Sequence, residues 1–398
     1  MAEELSTLFP ADMEALTAPQ HSTGLLPSQA IRELIRERGI LSAETIGEDQ
    51  IQPASLDLRL GGPAYRVRAS FLPGPEATVR EKIEALGMHE IELSGGAVLE
   101  KGCVYIVPLM EGLRLGKRVY GVANPKSSTG RLDLFTRLIT DHAIEFDRVR
   151  GAYKGPLYAE ISPRAFSVLV RQGSRLIQLR LRRGSPPATD TQLKKLHEEI
   201  PLVHSEGGED DIAKRISKGI PVTVDLGGAG GTGGAQAAGG LEAGFVGYKA
   251  KAHAGLIDVD AVSHYDALEY WEPIAARAGG TIILDPRAFY ILASREAVTV
   301  PPDHAAEMVP FNPLQGEFRV HYAGFFDPGF GYSESGGAGS RAVLEVRSFE
   351  VPFLLEHGQV VGRLIYERLT DVPDKIYGAE IGSSYQRQGL RLSKQFKG

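Results

Sequence analysis

Gly102-Cys103-Val104-Tyr105-Ile106-Val107 is a run of apolar and β-branched residues opened by glycine, the pattern of a buried strand. A related run, Ala288-Phe289-Tyr290-Ile291, recurs 185 residues further on. The same offset separates Glu160, followed by Leu169-Val170-Arg171-Gln172-Gly173, from Glu345, followed by Leu354-Leu355-Glu356-His357-Gly358. One spacing across three landmarks predicts two tandem copies of one fold.

The chain of 398 residues is long enough for two domains, each with its own core. Short β-branched and aromatic runs bounded by Gly, Pro and Asp predict strands at 104–107, 157–161, 176–181, 281–284, 342–346 and 360–366. Helices are expected to be few. One is predicted over Pro27 to Glu37, with Ser28 as N-cap and Ile31, Leu34 and Ile35 as its apolar stripe, and another around Tyr265 to Trp271. The expectation is a mainly β protein of two jelly-roll-like domains with a few appended helices. Its division is an N-terminal extension 1–24, copy one 25–185, a linker 186–240 and copy two 241–398. The linker is expected to be an elaborated connection: an acidic block, Glu206 to Asp211, then the glycine-rich run Leu226 to Gly240. That run lacks the Gly-Lys-Ser/Thr of a phosphate-binding loop, so it reads as a flexible connection or turn cluster.

Composition sets limits on function. With 42% apolar residues, 24% charged and a net charge of −6, bulk electrostatics argue against nucleic-acid or membrane-surface binding. A polyanionic ligand would need a local basic pocket. No apolar run approaches the ~20 residues of a membrane span, and Met1-Ala2-Glu3-Glu4-Leu5 is acidic where a secretory signal is basic, so the expected compartment is the cytoplasm. The single cysteine, Cys103, reads as a core thiol. It cannot furnish the Pro-Cys-x-x-Cys pair that holds zinc in one class of base deaminases.

Chemistry concentrates elsewhere. Asn124-Pro125-Lys126-Ser127-Ser128-Thr129-Gly130-Arg131 gathers two hydroxyls, an ammonium and a guanidinium at a turn, suited to phosphate oxygens or to a water. Glu160, in Tyr158-Ala159-Glu160-Ile161, places a carboxylate in an apolar strand where burial raises a carboxyl pKa toward useful proton-transfer values.

Ile51-Gln52-Pro53-Ala54-Ser55-Leu56-Asp57-Leu58-Arg59-Leu60-Gly61, then Ser127-Ser128-x-x-Arg131, Tyr153-Lys154-Gly155 leading to Glu160, and Tyr385-Gln386-Arg387-Gln388-Gly389 resemble the successive motifs of the dCTP deaminases, in order. These belong to the trimeric dUTPase superfamily. The resemblance implies a dUTPase-like distorted jelly roll in each copy and deamination of dCTP to dUTP and ammonia without zinc. It also implies Mg²⁺ accompanying the triphosphate, and a homo-oligomer with sites at or near subunit or domain interfaces.

It further implies dCTP and dUTP as ligands, with dTTP a candidate inhibitor, and it assigns roles. Glu160 moves protons, Arg131 orients it and stabilises developing charge, and Ser127 acts beside them. Lys126 and Ser128 bind phosphate or water, Asp147 and Gln178 lie near the nucleotide, and Tyr377, Tyr385, Gln386 and Gln388 form a segment over the triphosphate.

The chain departs from the family pattern in three places. Lys126 stands where arginine is usual, so bidentate phosphate recognition becomes a point-charge contact. The usual Asp-Pro-Gly turn has become the longer, more basic Asp147-Arg148-Val149-Arg150-Gly151-Ala152-Tyr153-Lys154-Gly155. In copy two the offset replaces Ser127, Ser128 and Arg131 by Asn312, Pro313 and Gly316, although Asp327-Pro328-Gly329-Phe330-Gly331 and Glu345 persist. Copy two therefore reads as mainly structural, with one site per chain built from copy-one loops and the C-terminal tail. The rival readings are a dUTPase or bifunctional deaminase and dUTPase, and a non-catalytic nucleotide-binding protein.

Overall fold

The computed structural model describes residues 21–184, 187–204, 215–228, 244–310, 318–321 as backbone only, 324–332, 339–378 and 390–397. The first β body contains a sheet in the order Gly87–Glu92, Pro63–Val67, Val104–Arg114, Lys154–Pro163, Leu134–Thr140, with Ile40–Ser42 also on Val104–Arg114. A second sheet sets Arg175–Arg183 between Gly24–Leu25 and Val119–Pro125, with Leu56–Arg59 also pairing Arg175–Arg183. The second body repeats this plan. Phe289–Val298 and Ser340–Ser348 pair centrally as Val104–Arg114 and Lys154–Pro163 do, and Val360–Arg368 takes Ile220–Thr223 and His304–Pro310 as Arg175–Arg183 takes its neighbours. All the expected strands are present, several longer than the runs that announced them.

Alternation explains the strands. In Ser340–Ser348, Ala342, Leu344 and Val346 are fully buried, and the residues between them face the other side. The helix spans Ser28–Arg36, but Pro27 occupies its N-cap and no side chain caps it. Ser28 instead lies inside the first turn, bonded to the carboxylate of Asp374, so the expected cap is corrected. Pro27 suits a helix start because it has no N–H to satisfy. Near Trp271 the helix is a single turn, Ala267–Tyr270, capped by Asp266. Cys103 is half-buried just before its strand.

The expected linker is corrected more substantially. Its described parts belong to domain two: helix Asp190–Glu199, strand Val203–His204 on Phe289–Val298 and strand Ile220–Thr223 on Val360–Arg368. Leu193, Leu202, Val222 and Val224 enter the second core. These elements match helix Ser28–Arg36 and strands Ile40–Ser42 and Leu56–Arg59 of domain one. Between Ile220–Thr223 and Phe245–Ala250 lies the glycine-rich run, where domain one has only the turn from Leu60 to Gly62. The run is thus an insertion inside copy two. It also explains why the 185 offset fails upstream of it.

The domains share a core as well as an interface. Fully buried Trp271 packs edge-on against Phe166 of domain one at 5.4 Å and Phe396 of the tail at 5.9 Å. Buried aromatics of this size stabilise strongly through area alone. Nearby, Ile257–Asp258 pairs parallel with Val168–Val170, and Arg171 donates to both oxygens of Asp258 at 2.7 and 2.8 Å. Domain two therefore enters domain one's fold before completing its own.

Candidate active site

The hydroxyl-rich loop follows strand Val119–Pro125 and forms one helical turn, Ser127–Gly130, with Lys126 at its N-cap. Its root is anchored twice: the Lys126 N–H donates to Leu176 O at 3.0 Å, and Gln178 Nε2 donates to Pro125 O at 3.4 Å. Gln178 also accepts from Ser55 Oγ at 3.3 Å. Lys126 Nζ forms an ion pair with buried Asp57, from the most specific sequence motif. The tail completes the enclosure. Ser393 Oγ donates to Ser128 O at 2.7 Å and Arg131 Nη1 donates to Arg391 O at 3.0 Å.

Glu160 is buried, as expected, but its partner differs from the expected Arg131. Arg137, opposite it on strand Leu134–Thr140, donates to Glu160 Oε1 from Nε at 3.1 Å and Nη2 at 2.5 Å. Arg137 is itself stacked on Phe146, 3.4 Å from the ring centroid. A guanidinium held between a carboxylate and an aromatic face leaves little room for a ligand.

The carboxylate that meets the loop is Glu345, from domain two. Gly130 is required at its position because a Cβ there would collide with that carboxylate. Burial pushes the Glu345 carboxyl well above its ordinary range, with the Arg131 charge pulling it down and Asp133 adding to the rise. Glu345 is 6% exposed, and among the described residues no hydrogen bond holds its oxygens. It is a carboxylate of raised pKa kept against Gly130 of the loop and near the Arg131 charge. The reading of copy two as mainly structural does not anticipate this contact. The signal was available in complementary losses: copy two kept the acid and lost the loop.

Asp327 strengthens the pattern. Arg180 of domain one, itself buried, reaches across and donates to Phe326 O at 2.9 Å, Ala306 O at 2.9 Å and Asp327 Oδ1 at 3.0 Å. Burial raises the Asp327 carboxyl, against the pull of Arg180; Asp57 adds to the rise and Lys126 opposes it. Strand register corrects the matching of Asp147 to this position. Arg148 and Val149 pair with Val122 and Gly121 as Phe325 and Phe326 pair with Glu307 and Ala306. The residue after Val149 is Arg150, so Asp147 corresponds to Gly324. Asp147 lies instead beside the Glu160 and Arg137 pair, with Leu138 N–H donating to its Oδ1 at 2.7 Å.

Beside the loop lies a cavity of 230 Å³ whose lining includes Lys126, Ser128, Arg175, Asp260, Lys394 and Gln395. Burial and the neighbouring Lys126 depress the Lys394 ammonium. A site that lowers an ammonium's pKa is cationic and partly dry, as an anion pocket is. Tyr377 sits at the Asp327 turn, its N–H donating to Pro328 O at 2.7 Å and its ring 5.7 Å from Phe330. Tyr385, Gln386 and Gln388 lie outside the described residues, as do Asn312, Pro313 and Gly316. Among the described residues, no group of three or more His, Cys, Asp or Glu side chains could hold a metal ion, and no helix is long and apolar enough to cross a membrane.

Comparison with known proteins places this geometry. The chain resembles a dCTP deaminase, dUMP-forming, of Halobacterium salinarum, 31% identical over 134 residues, which is 33% of this chain and 64% of the relative. It also resembles a dCTP deaminase of Haloarcula marismortui, 30% identical over 146 residues, which is 36% of this chain and 71% of the relative. The chain thus spans about two thirds of these shorter proteins. A 2'-deoxycytidine 5'-triphosphate deaminase from Agrobacterium tumefaciens superposes with a TM-score of 0.79 at 54% identity, covering 88% of this chain and 100% of that one. Residues 22–185 match the family model of the N-terminal domain of 2'-deoxycytidine 5'-triphosphate deaminase (DCD), and residues 189–396 match that of its C-terminal domain. With the two models together matching residues 22–185 and 189–396, the chain belongs to the dCTP deaminase family.

Proposed function

We propose that this chain deaminates dCTP to dUTP and ammonia at a site formed by the 126–131 loop of domain one and by Glu345 and Asp327 of domain two. The observation that carries this is the packing of the Glu345 carboxylate on Gly130, beside Arg131. Attack at cytosine C4 needs an activated water, charge stabilisation in the tetrahedral intermediate and a proton for the departing amine. A carboxylate of raised pKa is a stronger base, so Glu345 takes the proton from water and returns it to the leaving nitrogen, work worth ~10² to 10⁴ in rate. Arg131 holds the ionised form available and stabilises negative charge as it develops. Ser127 and Ser128 orient water or phosphate.

The cavity lined by Lys126, Arg175 and Lys394 suits the triphosphate, and Mg²⁺ enters as part of that nucleotide. Glu160, locked to Arg137, is assigned a structural part. Homo-oligomeric assembly and a cytoplasmic location belong to the same reading, with dTTP as a candidate inhibitor.

A second reading is favoured by the name of the Halobacterium relative, dCTP deaminase, dUMP-forming: dUTP is cleaved onward to dUMP and pyrophosphate. Incubating the protein with dCTP and Mg²⁺, with and without a zinc chelator, and following ammonia, dUTP, dUMP and pyrophosphate separates the readings. Ammonia with dUTP is expected in both arms. Added pyrophosphate makes the enzyme bifunctional, and nucleotide binding without ammonia overturns the deaminase reading.

A further inference from the structure

Two residues away from Glu345 along its strand is Arg347, and two residues beyond Arg131 is Asp133. Residues at i and i+2 of a strand share a face. Arg347 Nη2 forms an ion pair with Asp133 Oδ2 across the domain interface, and its Nη1 donates to Arg287 O. Domain one thus offers a cation then an anion, and domain two an anion then a cation. The order is complementary.

Asp133 is wholly buried and holds a left-handed backbone, φ +53°. Aspartate is among the few residues besides glycine that adopt that conformation readily. Domain one has no such pair around Glu160, because at the 185 offset Arg347 corresponds to the neutral Ser162. There a guanidinium sits directly on the carboxylate, whereas at Glu345 the guanidinium of Arg347 is taken up by Asp133.

We propose that Asp133 and Arg347 are positioning residues for proton transfer, an interdomain ion pair that sets the field acting on the Glu345 carboxylate. The inference rests on the reading of Glu345 as proton carrier. The charges acting on Glu345 are those of Arg131 and Asp133 from domain one, and Arg347, two residues along its strand, is paired with that Asp133. Its neighbours in register are Ile291, which is apolar, and His321. Asp133 favours the protonated carboxyl, and Arg347, as its ion-pair partner, opposes that influence. Together they leave Glu345 basic yet ionisable, and they do so without a direct bond that would occupy its oxygens.

The test is the pH dependence of ammonia release from dCTP in Asp133→Asn, Arg347→Met and the double variant, beside Glu345→Gln. Asp133→Asn leaves Arg347 unopposed, so the acid limb of kcat moves to lower pH. Normalised to each plateau, that variant is expected to outrun the parent roughly threefold below the midpoint. Arg347→Met removes the cation paired with Asp133 and moves the limb to higher pH. The double variant returns toward the parent, as coupling between neighbours requires.

Should Arg347→Met fail to fold, Asp133→Asn still carries the test, and Arg347→Lys, which keeps the charge, is expected to restore the parental limb. Limbs that do not move, or that move in the same direction, overturn the proposal and leave the pair a packing feature. Turnover surviving in Glu345→Gln overturns the reading of Glu345 itself. An inactive Glu345→Gln with unmoved limbs defeats only the pair.

Discussion

The two domains carry the same carboxylate on the same strand and treat it in opposite ways. In domain one Arg137 grips Glu160 directly and Phe146 backs the guanidinium. In domain two Glu345 is left without such a grip and faces the loop of the other domain. Each copy has surrendered what the other supplies: domain two its serines and arginine, domain one the acid of the Asp-Pro-Gly turn. A duplicated fold can divide one site between its halves when the halves meet across the interface that the site spans. Either half is then free to lose its redundant part, and the interface becomes the functional element.

The most severe way to break this comparison is to neutralise each glutamate in turn. Glu345→Gln is expected to lower kcat about 10³-fold, within the range for a lost general base, while dCTP binding measured by titration calorimetry persists. Glu160→Gln is expected to keep kcat within roughly threefold, because its effect reaches the site only through stability. The reverse outcome would return catalysis to domain one. Arg131→Ala tests the shared nature of the site, since the arginine and Glu345 come from different domains. It is expected to cost about 10²-fold in kcat, with a smaller change in KM.

Much of this was legible before any fold. The offset linking Tyr105 to Tyr290 announced the duplication, and the Ser127-Ser128-x-x-Arg131 cluster marked the loop that the structure places at the interface. The pairing of loop and acid was not legible, because it depends on how two domains dock. Register also escaped: Asp147 looks like the acid of the family turn by order along the chain, but strand pairing puts Arg150 in that place. The glycine-rich run resembled a boundary because composition shifts there. Its true setting emerged only when Ile220–Thr223 paired with Val360–Arg368. Arg180, Asp133 and Arg347 gave no signal, since an arginine in a strand announces no partner.

Arg180 tests the interface more gently. It is 3% exposed and satisfies two carbonyls and the Asp327 carboxylate of the other domain. Arg180→Met removes the cation and leaves those acceptors buried, which costs roughly 3 to 5 kcal/mol when one partner of a buried pair is lost. Chemical denaturation is expected to show that loss as an earlier midpoint. Cleavage of the transition into two steps would show that Arg180 also couples the domains. An unchanged midpoint would mean that water replaces the guanidinium and that the contact is not a structural bond.

The smallest effect concerns Asp147, and it asks whether the Glu160 and Arg137 pair of domain one bears on stability alone. Burial pushes this carboxyl up to about 7; the Leu138 N–H and the Arg137 and Arg148 charges oppose the rise and Glu160 adds to it. An unfolded aspartate titrates near 3.9. Below that value both states hold the proton and the group costs nothing. As pH rises toward 7 the unfolded chain releases its proton while the folded chain keeps it, so stability falls until the folded carboxyl also ionises. Between pH 5 and pH 8 the loss amounts to about 2.5 kcal/mol. Asparagine does not titrate and its side-chain oxygen can still accept from Leu138, so Asp147→Asn is expected to gain on the parent as pH rises. Urea midpoints for both proteins at the two pH values read this directly. If the Glu160 and Arg137 pair is structural, the pH profile of kcat stays where it was while the stability profile flattens. A displaced kcat profile would mean that Asp147 still communicates with a working site.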